Sequence, residues 1–218
     1  MEKKPYPVIV ISREYGSGGH EIAEILSKKL SIPFYDNELI TMASKDSGYA
    51  EEAFVHSEEV ATNIVSFSLK MMDKGEYGMP LNNQLFLIQC SMIRSIAEAG
   101  PAVIVGRCAD YVLDGVCPVV NVFVQSEYEH RLERIQKRHP GITRTEAETM
   151  MKKKDKYRST YYNYYTDRKW GSRLNYDIVI NTARMSIEEA ADVLEAYIRN
   201  CRLDFTAPKN EKKEEDKS

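Results

Sequence analysis

The most constraining feature of the chain is a glycine-rich loop placed directly between a buried strand and a helix. The segment PVIVIS (7–12) is a short apolar, β-branched run, typical of a strand buried on both faces of a parallel sheet. The polar stretch REYGSGG (13–19) follows, and after it HEIAEILSKKL (20–30). The apolar residues of this last segment share one helical stripe: Ile22, Ala23, Leu26 and Leu30.

Further short apolar runs along the chain predict four more strands. They are SIPFYD (31–36), PAVIVGR (101–107), PVVNVFV (118–124) and YDIVIN (176–181). Helical patterns separate them, and a closing amphipathic helix over 185–198 begins with the capping-box spacing of Ser186 and Glu189. Strands that alternate with helices predict an α/β fold with a five-stranded parallel sheet flanked by helices.

Length and composition indicate an ordinary globular chain. Its 218 residues fit one large domain, and 43% hydrophobic residues suffice for a core. No apolar run approaches the roughly 18 residues of a membrane span, and the start MEKKPYP is too polar for a secretory signal. Four cysteines lack C-x-x-C spacing, which indicates free thiols. We therefore expect a cytoplasmic protein with no membrane partner.

Charge is distributed unevenly along the chain. Residues 36–80 carry nine acidic and three basic side chains, whereas residues 127–173 carry thirteen basic and seven acidic ones. The basic stretch is a candidate for anion binding, although charge runs of this kind also occur on solvated helix faces. Because the basic excess is modest and the whole chain has a net charge of −3, no nucleic-acid partner is expected.

The glycine loop is suited to hold phosphate. Backbone N–H groups at a helix start attract anions, and Gly16, Gly18 and Gly19 allow the backbone to come close. A tight structural turn would also use glycines. The place of the loop directly after the first strand, with Ser17 among the glycines, favours phosphate binding.

Two known phosphate-binding patterns fit this loop to different degrees. The dinucleotide pattern G-x-G-x-x-G requires a third glycine where Glu21 stands, and its first glycine comes too late after the strand. The P-loop pattern G-x-x-x-x-G-K-[ST] fits the loop length, with Gly18 as its second glycine. Gly19 then occupies the lysine position and His20 the Ser/Thr position, so the pattern is broken where it is most functional.

In combination with three later segments, this loop resembles the cytidylate kinase-like family within the P-loop nucleoside monophosphate kinases. The matching segments are 8–36, VIVGRCADYVL (103–113), KKKDKYRSTYYNYYTDRKWG (152–171) and NYDIVINTARMSIEEAADVL (175–194). The resemblance implies a P-loop kinase-like sheet that carries a helical acceptor-binding lobe and a mobile helical lid.

The domain organisation follows from the same resemblance. A single kinase-like domain is expected over 1–207, with three core segments, an acceptor lobe and a lid: 7–36, 101–126 and 174–201 for the core, 37–100 for the lobe and 127–173 for the lid. The tail 208–218 contains only charged, small and helix-breaking residues, and we expect it to be disordered.

The resemblance also implies the cofactors and the binding residues. ATP and Mg²⁺ would be the cofactors, and the acceptor would be a nucleoside monophosphate such as CMP or dCMP. The residues expected to bind ATP are Gly16, Ser17, Gly18, Gly19, His20 and Glu21. Acceptor contacts are implied at Asp36, Gly106 and Arg107, where Cys108 replaces an expected aspartate and Asp110 is the substitute candidate.

The lid segment is rich in arginine. Arg131, Arg134 and Arg138 are spaced to share one helical face, from which their guanidinium groups can converge on one polyanion. Pairing with nearby glutamates would instead make them a solvated stripe. Asp155 and Arg158 match a D-x-x-R pattern of the family, and their spacing also suits a simple helix salt bridge. Aromatic residues that could line a base pocket or pack the lid are Tyr157, Tyr161, Tyr162, Tyr164, Tyr165 and Trp170.

Catalysis without the P-loop lysine needs another positive charge, because phosphoryl transfer depends on positioning and charge cancellation. We hypothesise that Arg13 supplies it, unless it pairs with an adjacent glutamate. The other candidate catalytic residues are Arg131, Asp155 and Arg158. Ser12 or Asp36 would help to hold Mg²⁺ through water.

The sequence therefore predicts an ATP-dependent kinase of a small molecule. The alternative is a nucleotide-binding or regulatory module on a kinase scaffold that no longer transfers phosphate. The oligomeric state stays open, a homodimer included.

Overall fold

One five-stranded parallel sheet forms the centre of the molecule. The computed structural model describes residues 6–36, 45, 47–49 and 81–206. The strands are β1 (Val8–Arg13), β2 (Phe34–Tyr35), β3 (Ala102–Val105), β4 (Val119–Gln125) and β5 (Ile178–Asn181). Their order in the sheet is β2-β3-β1-β4-β5, with every pairing parallel. The predicted α/β fold is confirmed.

Helices cover both faces of this sheet. In the described ranges they are α1 (Gly19–Leu30), α2 (Leu81–Ala99), α3 (Ala109–Val112), α4 (Tyr128–Arg138), α5 (Arg144–Thr166) and α6 (Ile187–Asn200). The predicted capping box is present: Ser186 caps α6 with Glu189, and a second box of Thr143 and Glu146 starts α5. None of the helices described here is long and apolar enough to cross a membrane.

The core has two layers because alternate residues of β1 point to opposite faces. Ile9 and Ile11 pack with α1 and α6, while Val8 and Val10 pack with α2 and α3. All four are at most 1% exposed. Each such side chain contributes roughly 1.5–3 kcal/mol to stability by its burial. This two-sided burial explains why the strand is apolar throughout.

The second strand is shorter than predicted. The sequence indicated residues 31–36, but only Phe34 and Tyr35 pair, with Val103 and Ile104 of β3. Within the ranges the structure describes, the strand lies at the edge of the sheet and pairs with β3 alone, which limits its length.

Some predictions fall outside the described residues. These are most of the acceptor lobe, 37–80 apart from 45 and 47–49, and the tail 208–218. Helix α2, at the end of the predicted lobe, packs its buried Ile93, Ile96 and Ala97 against the sheet.

The pair α4 and α5 forms the segment predicted as a lid. The two helices pack through Leu132 and Ile135 of α4 and Ala147 and Met151 of α5. Tyr15, from the glycine loop, packs against this same cluster. The lid helices are therefore in direct contact with the loop.

Candidate active site

A cleft of about 670 Å³ opens where the carboxyl ends of β1, β2 and β3 meet the start of α1. Open α/β sheets bind their ligands at this edge. The lining residues are Ser12, Arg13, Glu14, Tyr15, Gly16, Gly18, Gly19, His20 and Glu21 from the first βα unit, Asp36, Gly106, Arg107 and Cys108 after β2 and β3, and Arg138, Lys154, Tyr157, Arg158, Tyr161, Tyr162 and Trp170 from the lid segment. Most of the predicted site residues share this cleft.

The glycine loop presents a helix start to the cleft. Gly18 is the N-cap of α1 with φ 88°, in the left-handed region that glycine adopts without strain, and it offers no side-chain cap. The first helical hydrogen bond runs from Ile22 N–H to Gly18 C=O at 3.0 Å. The N–H groups of Gly19, His20 and Glu21 precede that bond, as the first N–H groups of any helix do. These groups are available to an anion.

Arg13 occupies the space beside Gly19. A Cβ added to Gly19 would lie 2.5 Å from the Cβ of Arg13 and 3.3 Å from the Cβ of Val124. Any side chain at position 19 would therefore clash with Arg13 in its present conformation. The guanidinium Nη2 reaches to 3.6 Å from Asp36 Oδ1. Burial lowers the pKa of Arg13, and the nearby Asp36 carboxylate opposes this effect.

Two more arginines reach the cleft from other elements. Arg158 of α5 donates from Nη1 to the backbone C=O of Arg13 at 3.1 Å. Burial, and after it repulsion from Arg13, lowers the pKa of Arg158 to about 9. Burial likewise lowers the pKa of Arg107, with Tyr161 and Asp36 opposing and Arg13 adding to the effect. The three guanidinium groups thus share one poorly hydrated space.

His20 and Asp36 form a hydrogen-bonded pair at the mouth of α1. His20 Nδ1 lies 2.7 Å from Asp36 Oδ2, and the imidazole packs edge-on against Phe34. Asp36 is buried, with 8% of its side chain exposed, whereas 45% of the His20 side chain is exposed. The sequence indicated both residues for binding but gave no sign of their contact.

Arg131 and Asp155, two of the predicted catalytic residues, lie behind the loop and do not line the cleft. Asp155 Oδ1 accepts the N–H of Tyr15 at 2.7 Å, and its Oδ2 pairs with Arg131. Arg131 also donates from Nε to the C=O of Tyr15 at 2.7 Å and lies 3.4 Å from Glu14 Oε2. Asp155 is 4.0 Å from Arg158, so the predicted helix pair is a secondary contact.

The arginine stripe on α4 faces the loop, as its spacing predicts, but its members do not converge on one point. Arg134 donates to the C=O of Ser17 at 3.0 Å and to Thr182 Oγ1 at 2.9 Å. Arg138 pairs with Glu21 at the rim of the cleft. Each arginine therefore has its own partner within the protein.

Asp110 and Ser12 are engaged by tyrosines. Asp110 is 2% exposed and accepts a 2.6 Å hydrogen bond from the Tyr162 hydroxyl, and burial raises its pKa. It lines a separate cavity of about 480 Å³ instead of the cleft. Ser12 is buried, and its side chain hydrogen-bonds with Tyr176.

One face of α5 supplies cleft residues outside the predicted ATP and acceptor sets, although its tyrosines were candidates for a base pocket. They are Lys154 and Tyr157, with Tyr161 and Tyr162 further along the helix. Together with Arg158 they have the i, i+3, i+4, i+7, i+8 spacing of a single helical stripe, which was the available signal. Among the other aromatics, Tyr165 instead stacks on Phe86, with ring centroids 4.0 Å apart.

The parallel sheet and the arginine-lined cleft at its carboxyl edge are those of a P-loop kinase-like protein. The chain belongs to the cytidylate kinase-like family, whose model matches residues 8–184. The cytidylate kinase of Sulfurisphaera tokodaii is 24% identical over 208 residues, which cover 93% of this chain and 98% of that relative. A crystal structure of an uncharacterized protein from Eubacterium ventriosum ATCC 27560 is 29% identical with a TM-score of 0.68, covering 88% of this chain and 98% of the other. Family membership supports ATP-dependent phosphoryl transfer as the class of reaction.

Proposed function

We propose that this protein transfers a phosphoryl group from ATP to a small acceptor, and that the acceptor is a nucleoside monophosphate such as CMP or dCMP. The family and the Sulfurisphaera tokodaii cytidylate kinase support this choice of donor and acceptor. We further propose that the reaction takes place in the cytoplasm.

The observation that carries the proposal is the cluster of Arg13, Arg107 and Arg158 around one cleft. For each of them, the loss of hydration lowers the pKa by more than the nearby carboxylates raise it. A poorly hydrated cation is stabilised by a bound counter-charge. Phosphate groups supply that charge, and the guanidinium fork matches their oxygens.

The residues of the cleft fit a triphosphate. The uncapped start of α1 offers N–H groups to phosphate oxygens, and Arg13 lies directly beside them. Lys154 and Arg158 line the same cleft from α5. Arg107, at the end of β3, would meet the acceptor phosphate.

The cleft offers few protein ligands for Mg²⁺. Among the residues the structure describes, no three His, Cys, Asp or Glu side chains form a metal site. Asp36 is the residue that would hold the ion, through water, since Ser12 bonds with Tyr176. Bound Mg²⁺ would supply charge neutralisation between the phosphates of ATP.

In this mechanism the protein positions two phosphates and balances charge. The bond between the γ-phosphorus and the β,γ-bridging oxygen of ATP breaks, and an oxygen of the acceptor phosphate bonds to the same phosphorus. The products are ADP and a nucleoside diphosphate. Arg13 and Arg158 stabilise the charge that spreads over the moving group.

The test is product formation with Mg·ATP and a panel of CMP, dCMP, UMP and AMP. We expect a diphosphate product and ADP in equal amounts with at least one acceptor, CMP or dCMP giving the largest kcat/KM. Binding of nucleotides without turnover over the whole panel would contradict the proposal.

That negative outcome would favour the second candidate, a nucleotide-binding module without catalysis. One observation supports this candidate: Gly19 and His20 stand where the P-loop lysine and hydroxyl are expected, and Arg13 leaves no room for a side chain at position 19. Measuring ATP affinity beside turnover separates the two candidates.

A further inference from the structure

Arginines behind the glycine loop bind its backbone carbonyl groups. Arg131 donates to the C=O of Tyr15 at 2.7 Å, and Arg134 donates to the C=O of Ser17 at 3.0 Å. Thr182 adds a second donor to the Ser17 carbonyl at 2.7 Å. Both carbonyls therefore point away from the cleft, toward α4.

The geometry of the peptide bond means that holding these two carbonyl groups also fixes the direction of the N–H groups that follow them. In a trans peptide the C=O of one residue and the N–H of the next point in opposite directions, and every peptide of the described ranges is trans. The C=O of Tyr15 is paired in this way with the N–H of Gly16, and that of Ser17 with the N–H of Gly18. With both carbonyls held on the α4 side, these two N–H groups are directed to the side where Gly16 and Gly18 line the cleft.

Asp155 completes the support. It accepts the N–H of Tyr15 at 2.7 Å and pairs with Arg131, so one carboxylate fixes both the preceding Glu14–Tyr15 peptide and the arginine that holds the next one. The loop also lies directly on α4, because a Cβ at Gly16 would be 2.8 Å from the C=O of Arg131. The Arg131 side chain is 9% exposed, which leaves it little freedom to move.

We propose that Arg131, Arg134 and Asp155 are positioning residues for polyphosphate, which they never touch. Their role is to hold the peptides of Tyr15–Gly16 and Ser17–Gly18 with the N–H groups facing the ligand. A cation at the carbonyl end of a peptide also polarises it and strengthens the positive end of its dipole. The electrostatic potential at the N–H groups that face the cleft therefore becomes more positive. The inference rests on the proposed phosphate binding in the cleft, and it explains how a loop without lysine binds phosphate.

The experiment measures equilibrium binding of two probes, inorganic triphosphate and adenosine, to the full chain by calorimetry. Arg134→Gln removes the charge behind Ser17. We expect triphosphate affinity to fall about tenfold or more, the effect of losing one charge-assisted hydrogen bond, with adenosine affinity unchanged. A role confined to general stability would shift both probes together.

Arg144→Gln is the matched control. Arg144 is an arginine of α5 whose side chain is 54% exposed and pairs with Glu129 and Glu148 on the surface. This variant makes the same change of charge without touching the loop. It should bind both probes as the unmodified protein does.

A second variant keeps the inference testable where Arg134→Gln does not fold. Asp155→Asn retains the side-chain shape but weakens the hold on Arg131, and it should also lower triphosphate affinity selectively. The inference is overturned if folded variants bind triphosphate like the unmodified protein, or if the unmodified protein binds no triphosphate. Triphosphate binding that depends on Arg134, with no turnover on the acceptor panel, would retain the inference and reject the proposed kinase activity.

Discussion

Two groups of arginines in this protein approach the same loop from different sides. Arg13 and Arg158 line the cleft itself, whereas Arg131 and Arg134 lie on the opposite side of the loop. In the first group burial lowers the pKa, because hydration is lost in the cleft. Burial also lowers the pKa of Arg134, so the two groups differ in their partners and not in hydration: Arg131 pairs with Glu14 and Asp155.

In our proposal, the side of the loop peptides on which an arginine lies decides its role. A guanidinium on the N–H side of the loop can meet the ligand directly. A guanidinium on the C=O side would act on the ligand through the backbone. Residue type and helical spacing alone do not separate these cases.

The largest effect is expected where an arginine of the cleft is removed. Arg13→Gln should lower kcat/KM for phosphoryl transfer by about 10²–10³-fold, since one charge at the transferring group is lost. Steady-state kinetics with the preferred acceptor measures this, with Arg144→Gln as the charge-matched control. Similar rates for Arg13→Gln and the control would remove Arg13 from the mechanism.

A smaller effect is expected from pH, through Arg158. Its pKa of about 9 means that the empty cleft loses this charge above that pH. Bound polyphosphate favours the charged form, so binding takes up a proton in the alkaline range. ATP affinity should therefore be constant near pH 7–8 and fall above pH 9, by up to about tenfold per unit.

Calorimetric titration of ATP at several pH values tests this expectation. Arg158→Gln should bind ATP more weakly and with a flatter profile. An unchanged slope in that variant would assign the alkaline loss of affinity to a group other than Arg158.

The smallest effect concerns stability and the contact of Arg13 with Gly19. Gly19→Ala should lower the free energy of unfolding by about 1–3 kcal/mol, because the new Cβ would lie 2.5 Å from the Cβ of Arg13. In an Arg13→Gly background the same change should cost less, because the Cβ of Arg13 is absent and the higher helix propensity of alanine then counts in its favour. Denaturant unfolding of the four proteins in this cycle gives the coupling energy. Additive effects would contradict the exclusion of side chains at position 19.

Much of the fold was readable from the sequence because its strands are buried on both faces. Apolar runs such as 101–107 and 118–124 predicted strands that the structure has at Ala102–Val105 and Val119–Gln125. The short β2 was overestimated, because an edge strand ends where its neighbour stops pairing, and a sequence pattern does not contain that limit.

The candidate site was readable only in part. The loop could be located because strand, glycines and helix are adjacent in sequence. The sequence predicted Asp155 as a partner of Arg158, three residues away. Its hydrogen bond to the Tyr15 N–H instead joins residues 140 positions apart. A contact at that separation depends on how α5 packs against the loop, and local spacing carries no information about it.

The turn after β3 has a backbone conformation that is unfavourable for two of its three residues. Gly106, Arg107 and Cys108 are consecutive left-handed residues with φ of 73°, 59° and 54°. For a side chain larger than glycine this backbone costs on the order of 1 kcal/mol per residue. A screen that rewarded thermal tolerance alone would replace Arg107 by glycine and would remove a guanidinium group from the cleft wall. If Arg107 contacts the acceptor phosphate as we propose, thermal stability and ligand binding favour different amino acids at this one position.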